Sequence, residues 1–249
     1  MPNKLKFRNI KLTIEYDGTA YHGWQAQKNT RQTIQEIIEK VLKGILQEEV
    51  SLFGSGRTDR GVHALAQVAN FKTRSEISLS RLKLGLNSLL PKDIVITGIK
   101  EVPLDFHSQR SVKSKLYRYT LLNRKFPSAF LYKYAWLYHI PLNLDLMKKE
   151  ASRLLGKHDF KSFKATRKDK KSSIRTIYEL KIKKAGDFIY IDIRGNGFVY
   201  NMVRSIVGTL VGIGNGKLGN IRRILLAKNR KAAGVTAPAC GLCLMKVEY

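Results

Sequence analysis

The chain has 249 residues, of which 46 are Lys or Arg and 19 are Asp or Glu, and its formal net charge at pH 7 is +27. Hydrophobic residues make up 43% of the sequence, which is enough to form a core and excludes a disordered basic tail. A folded protein with such an excess of positive charge usually binds a polyanion, and nucleic acid is the expected one.

The sequence predicts neither a membrane anchor nor a metal site. It has no stretch approaching 18 apolar residues and no apolar run near its N-terminus, so we expect a cytoplasmic protein. Its two cysteines, Cys240 and Cys243, form one C-x2-C, whereas a zinc site needs two more soft or imidazole ligands. The five histidines are scattered without metal-ligand spacing. We therefore expect no bound metal.

The first half of the chain predicts the order β-α-β-β-α-β. Ile10, Leu12 and Ile14 alternate with polar residues, which is the period of a half-buried strand. Thr33 then opens a capping box, and apolar residues follow at helical spacing as far as Ile45. The remaining elements of this half are a strand near 50–53, a strand near 64–71, a helix over 81–90 and a strand over 94–99.

The second half predicts a similar order. Its elements are a strand over 116–122, a helix over 144–155, two strands over 178–183 and 188–194 joined by a hairpin at 185–187, helices over 202–213 and 221–228, and a last strand over 242–247. The prediction is an α+β fold of two tandem ferredoxin-like halves, residues 1–105 and 106–249. Their sheets should be mixed, mostly antiparallel and covered by helices on one face.

The most informative segment is the loop over residues 54–64, which reads G-S-G-R-T-D-R-G-V-H-A. Asp59 lies between Arg57 and Arg60, and positive charges on both sides favour the ionised carboxylate. Glycines nearby allow a ligand to approach closely. An ionised carboxylate can serve as a base, a metal ligand or a nucleophile. The alternative is an Asx-type turn with solvated charges.

Arg204 and Tyr117 are two further candidates. Arg204 lies in a predicted helix that is apolar nearly all round, so its guanidinium needs a partner, and Asp59 makes chemical sense as that partner. The alternative is an arginine that snorkels to the surface. Tyr117 and Tyr119 share one face of a predicted strand, and the pattern alone favours packing for both.

A basic stretch over residues 161–171 predicts contact with nucleic acid. A solvated charged loop is the alternative, but the net charge already indicates a polyanionic partner, so phosphate contact is the better interpretation. We expect contacts to the RNA backbone from Arg60 in the Asp59 loop and from Lys164, Arg167 and Lys168 in this stretch.

The Asp59 loop resembles the signature of the tRNA pseudouridine synthase A family. Other motifs resembling those of the family occur in the family's order and span nearly the whole chain. They are K-L-Y-R-Y at 115–119, H-D-F-K-S-F at 158–163, G-N-G-F-V-Y-N-M-V-R at 195–204 and A-P-A-C-G-L at 237–242. Arg60 is a departure, since many members carry Ala there, and it adds a positive charge beside the site.

The resemblance implies an isomerase that converts uridine to pseudouridine at positions 38, 39 and 40 of the tRNA anticodon stem-loop, without a cofactor. It implies that Asp59 is the nucleophile, either at C1′ of the sugar or at C6 of the base, and that Tyr117 lies against the target base. It also implies that Arg204 pairs with Asp59, that RNA binds in a cleft between the halves, and that the protein is a homodimer. Arg57 would fill the gap left by the flipped base or contact phosphate.

Three alternatives remain from the sequence. A non-catalytic basic RNA-binding protein would account for the net charge, and a pseudouridine synthase acting on another RNA would account for the motifs. A nuclease using Asp59 with a metal would need a second carboxylate nearby, and none is spaced for that role.

Overall fold

The computed structural model describes residues 6–165 and 172–249. These residues form ten β-strands and five α-helices, which confirms the predicted α+β class. The chain divides into two compact units, Met1–Lys113 with Leu244–Tyr249, and Ser114–Cys243. Compared with the predicted division into 1–105 and 106–249, this boundary lies eight residues later, and the last six residues group with the first unit.

The first unit follows the predicted β-α-β-β-α-β order. Its elements are β1 (Arg8–Tyr16), α1 (Ile34–Leu46), β2 (Phe53–Gly54), β3 (His63–Thr73), α2 (Leu79–Leu89) and β4 (Ile94–Val102). Strands β4, β1 and β3 are antiparallel neighbours in that order, and β2 pairs antiparallel with β3.

Helix α1 forms for the reason that its sequence suggests. The Glu36 backbone N–H donates to Thr33 Oγ1 at 3.4 Å, so the capping residue satisfies a backbone donor at the helix start. One apolar face of the helix is then buried, and it consists of Ile34, Ile38, Leu42 and Leu46. Of the apolar positions that the helical periodicity predicted to be core, Ile34, Ile38 and Leu42 are buried, whereas Ile37, Val41 and Ile45 are partly exposed.

The second unit contains more strands than the sequence predicted. Its elements are β5 (Ser114–Leu122), β6 (Trp136–Leu137), α3 (Leu144–Ala151), β7 (Gly156–Asp159), β8 (Ile174–Ala185), β9 (Phe188–Gly195), α4 (Met202–Gly214) and α5 (Ile221–Ala227); the chain ends with β10 (Leu242–Glu248). Strands β5, β9, β8 and β7 are antiparallel neighbours in that order, while β6 pairs parallel with β5. The short strands β6 and β7 were not predicted.

The core of the second unit lies on one face of its sheet. Ile189, Ile191 and Ile193 of β9 are fully buried, whereas the residues between them are partly exposed. Helix α4 buries eleven of its thirteen residues, so it is apolar on nearly every side, as its sequence predicted. Among the described residues, no helix has both the length and the hydrophobicity that a membrane span requires.

Candidate active site

Asp59 lies in the loop that connects β2 to β3 in the first unit, so strands flank it as predicted. The Asp59 side chain is partly exposed. The Asp59 backbone carbonyl accepts a hydrogen bond from the Val62 backbone N–H at 3.1 Å. Gly61 has a φ of +76°, which favours glycine, and it closes this turn. The loop thus presents Asp59 from a tight turn.

Thr58, the residue before Asp59, is fixed through both its side chain and its backbone. Its Oγ1 lies 2.7 Å from the Tyr16 hydroxyl in a buried contact, and its carbonyl accepts from the Trp24 N–H at 3.1 Å. Gly23 has a φ of +93°, and a Cβ on it would lie 2.6 Å from the Thr58 carbonyl oxygen. The end of β1 and the segment after it therefore hold the backbone beside Asp59.

The remainder of the loop is held by buried polar groups. Ser55 Oγ donates to Gln67 Oε1 at 2.6 Å, and Gln67 Nε2 donates to the Gly56 carbonyl at 2.9 Å. On the other side of the loop, His63 Nδ1 accepts from the Gly18 backbone N–H at 3.1 Å. Buried hydrogen bonds of this kind hold the loop in a single backbone conformation. Sequence reasoning had not assigned these supporting residues.

Arg57 and Arg60 are both exposed. Arg57 Nε donates to Gln25 Oε1 at 3.0 Å, so this guanidinium is oriented by a neighbouring segment of the same unit. Whether the two arginines keep the Asp59 carboxylate ionised stays a prediction.

Tyr117 lies on β5 in the second unit, directly opposite Ile193 of β9. The side chain is 7% exposed, and its ring meets the Phe198 ring edge-on with centroids 5.3 Å apart. Tyr119 on the same face is fully buried, and its hydroxyl donates to the Pro238 carbonyl at 2.7 Å. Burial raises the pKa of the Tyr119 phenol, which is consistent with a core position.

Arg204 lies in the first turn of α4 and is partly exposed, so the helix does not enclose it. Its Nε donates to the Ala237 carbonyl at 2.7 Å, and its Nη1 donates to Asn201 Oδ1 at 3.2 Å. The Ala237 N–H in turn donates to the Arg204 carbonyl at 3.1 Å. These bonds orient the guanidinium within its own unit, and its pairing with Asp59 stays a prediction.

The predicted phosphate-binding stretch is described only in part. Lys164 follows a short 3-10 turn, Lys161–Phe163, and is partly exposed. In that turn Ser162 and Phe163 are buried, and the Ser162 hydroxyl donates to the Ile224 carbonyl at 2.6 Å. Arg167 and Lys168 lie outside the described residues.

Within residues 6–165 and 172–249, no group of three or more His, Cys, Asp or Glu side chains could hold a metal ion. Cys240 lies in a 3-10 turn and Cys243 in β10. Both thiols are half-buried rather than fully buried, and burial raises the pKa of Cys240.

Comparison with known proteins gives the family. A family model described as tRNA pseudouridine synthase matches residues 12–109 and 151–249. Proteins named tRNA pseudouridine synthase A from Thermoanaerobacter sp. and Acetivibrio thermocellus are 52% and 48% identical over 244 and 246 residues, covering 97% of this chain and 100% of each relative. The homologue of that name from Clostridium acetobutylicum is 48% identical over 244 residues, with the same coverage. These matches confirm the resemblance seen in the motifs, and the chain belongs to the tRNA pseudouridine synthase A family.

Proposed function

We propose that this protein converts uridine to pseudouridine at positions 38, 39 and 40 of the tRNA anticodon stem-loop, with Asp59 as nucleophile. Membership of the family supports the reaction and its tRNA substrate. The three positions come from the family resemblance. A uridine within a stem is out of reach of a side chain, so the target must flip out of its stack.

The reaction is an isomerisation that needs no external oxidant or group donor. The bond between C1′ and N1 breaks, the uracil turns, and a bond forms between C1′ and C5. The proton on C5 leaves to a base, and N1 gains a proton, so substrate and product have the same composition. Asp59 attacks either C1′ or C6 to allow the base to detach.

The observation that carries this assignment is the support around Asp59. Its neighbour Thr58 is held by Tyr16 through the side chain and by Trp24 through the backbone. Catalysis by a nucleophile depends on a fixed geometry relative to the reacting atom. A surface turn with solvated charges would not require a buried hydroxyl contact and a close glycine approach at the preceding residue.

Tyr117 and Arg204 complete the proposed site. The Tyr117 ring would stack on the flipped uracil and assist removal of the C5 proton, which its position beside Phe198 supports by fixing the ring. Arg204 would orient the Asp59 carboxylate and favour its ionised form. Arg57 is proposed to occupy the gap left by the flipped base or to contact phosphate.

The basic surface is proposed to bind the tRNA backbone. The net charge of +27 supports an interaction that releases counterions from phosphates. Exposed Arg60 and partly exposed Lys164 are candidate contacts, together with Arg167 and Lys168. Such contacts position the RNA without reading its sequence.

The test is tritium release from tRNA labelled at uridine C5, with wild type and Asp59→Asn compared. The variant keeps the shape of the side chain and loses its charge, so we expect no product while tRNA affinity is retained. Substantial product from this variant would refute the nucleophile. Loss of wild-type activity with a chelator, while the tRNA stays folded and bound, would favour a metal-dependent enzyme instead.

We also propose that the protein acts as a homodimer in the cytoplasm, where its tRNA substrate is found. Phe130 is 88% exposed, and Phe126 and Tyr132 are 68% and 64% exposed in the same segment. A cavity of about 220 Å³ lies beside them, and its lining includes Leu122, Pro127, Leu131 and Trp136. A protruding aromatic side chain next to an apolar cavity supports this proposal, because in a two-fold symmetric interface each copy could insert its ring into the cavity of the other.

A further inference from the structure

Lys115 is a charged residue on the face of β5 that carries Tyr117. Residues two apart in a strand point to the same side, so Lys115 and Tyr117 share a face, about 7 Å apart along the strand. Lys115 lies opposite Gly195 of β9, and a Cβ on that glycine would lie 3.4 Å from the Phe198 ring. The same ring meets the Tyr117 ring edge-on. The Lys115 side chain is partly exposed.

Burial of Lys115 has an electrostatic cost. It lowers the pKa of the Lys115 ammonium from its ordinary 10.5 to about 8, because a desolvated charge is disfavoured. Lysine is almost never fully buried unless it is paired. An anionic ligand brought to this face would offset the desolvation, since it would interact with the charged form at short range.

We propose that Lys115 binds the phosphodiester next to the flipped uridine while Tyr117 stacks on its base. The inference rests on the proposed position of the target base at Tyr117. In a nucleotide the sugar separates the phosphate from the base. The distance between Lys115 and Tyr117 along β5, about 7 Å, is similar to that separation. A lysine ammonium suits such a contact because it is a compact point charge with three donors.

The proposed contact makes Lys115 a substrate-binding residue rather than part of the bond-making machinery. Its loss should weaken binding and leave the chemical step unchanged, because phosphate contacts position a nucleic acid and take no part in the reaction at C1′ or C5. Replacement by arginine should retain binding, because arginine is also cationic and donates to phosphate.

The experiment compares wild type, Lys115→Met, Lys115→Arg and Lys183→Met in pseudouridine formation and in tRNA binding across a salt series. Lys183 is an exposed lysine on β8 next to buried Ile182, and it points to the opposite face of the same sheet. We expect Lys115→Met to raise KM about tenfold with kcat within about twofold of wild type. For Lys115→Met, the slope of log affinity against log salt concentration should be smaller in magnitude by about 0.7 to 0.9. Lys115→Arg and Lys183→Met should behave as wild type.

Three results would overturn the inference. They are an unchanged KM in Lys115→Met, a weaker affinity with an unchanged salt slope, and a loss of affinity in Lys115→Arg as large as in Lys115→Met. The second result would assign Lys115 to an uncharged contact. The proposed function is tested separately, because Asp59→Asn should abolish product and keep the wild-type salt slope. Product from Asp59→Asn would refute the nucleophile whatever the Lys115 variants do.

Discussion

Replacing Lys115 by Met should stabilise the free protein at neutral pH. Methionine keeps a long apolar stem and removes the charge, so the desolvation of the ammonium no longer opposes folding. The pKa of Lys115 falls from 10.5 to about 8 on folding. At roughly 1.4 kcal/mol per pKa unit this difference corresponds to about 3.5 kcal/mol as an upper limit. Because the side chain is partly exposed, we expect about 1–2 kcal/mol in practice.

The pH dependence of this gain has a definite sign. Below about pH 8 the lysine is charged in both the folded and the unfolded state, so wild type carries the full cost of burial. Between about pH 8 and 10.5 the unfolded chain binds more protons than the folded protein, so wild-type stability rises relative to Lys115→Met. Above 10.5 both states are neutral at this position and the advantage of the variant is lost.

Urea unfolding at constant ionic strength, between pH 7 and 10.5, measures this difference. Other lysines and tyrosines titrate in both proteins, so their contributions cancel when the two free energies of unfolding are subtracted. Lys183→Met is the control and should show no such pH dependence. A Lys115→Met protein that is less stable than wild type at pH 7, or a difference constant across this range, would refute the argument from burial.

Other expected outcomes follow from the proposed site and interface. Tyr16→Phe removes the hydroxyl that contacts Thr58, so kcat should fall while tRNA affinity is retained, and the protein should lose about 1 kcal/mol of stability. Tyr178→Phe, at an exposed tyrosine, is the control. An unchanged kcat would show that this contact does not position the loop. Arg204→Lys loses the planar guanidinium, so kinetics should show a larger fall in turnover than in tRNA affinity; equal falls would count against orientation of the nucleophile. Phe130→Ala should shift sedimentation from dimer to monomer, and a persistent dimer would place the interface elsewhere.

Local periodicity was enough to predict the main elements of the fold. The capping residue Thr33 and the helical spacing after it located α1 correctly, and the hairpin at 185–187 connects β8 to β9 as expected. These features depend on interactions between residues close in sequence. The two-residue strands β2 and β6 are too short to have a period, so pairing with β3 and β5 defines them instead.

The support around Asp59 could not be predicted from the loop alone. Tyr16 and Thr58 are 42 residues apart, and Gly23 approaches Thr58 only because the segment after β1 folds back on the loop. The sequence predicted Tyr16 only as a residue at the end of a strand. A tyrosine in that position is common, so it does not by itself indicate a functional site. The tertiary fold brings residues so far apart in the sequence into contact. The periodicity of a single sequence predicts helices and strands but not such contacts.

The partial burial of Lys115 could not be predicted from the sequence either. It belongs to the motif that contains Tyr117, yet sequence reasoning weighed only the tyrosines, because a lysine in an alternating strand is normally solvated. Its partial burial, opposite a glycine on β9, becomes evident only when the two strands are paired. The pairing of two strands can therefore bury part of a charged residue that lies in an alternating sequence.

The exposure of Arg204 differs from the one that the sequence predicted. The apolar sequence around Arg204 predicted a guanidinium enclosed by the helix, whereas Arg204 lies in the first turn of α4 and is partly exposed. There the Ala237 carbonyl and Asn201 Oδ1 accept from its Nε and Nη1. Two such bonds fix the plane of a guanidinium, and the direction of its other N–H groups follows from that plane. The bonds to Ala237 and Asn201 therefore help to set the direction in which Arg204 donates, and lysine, with one freely rotating ammonium, would not preserve it.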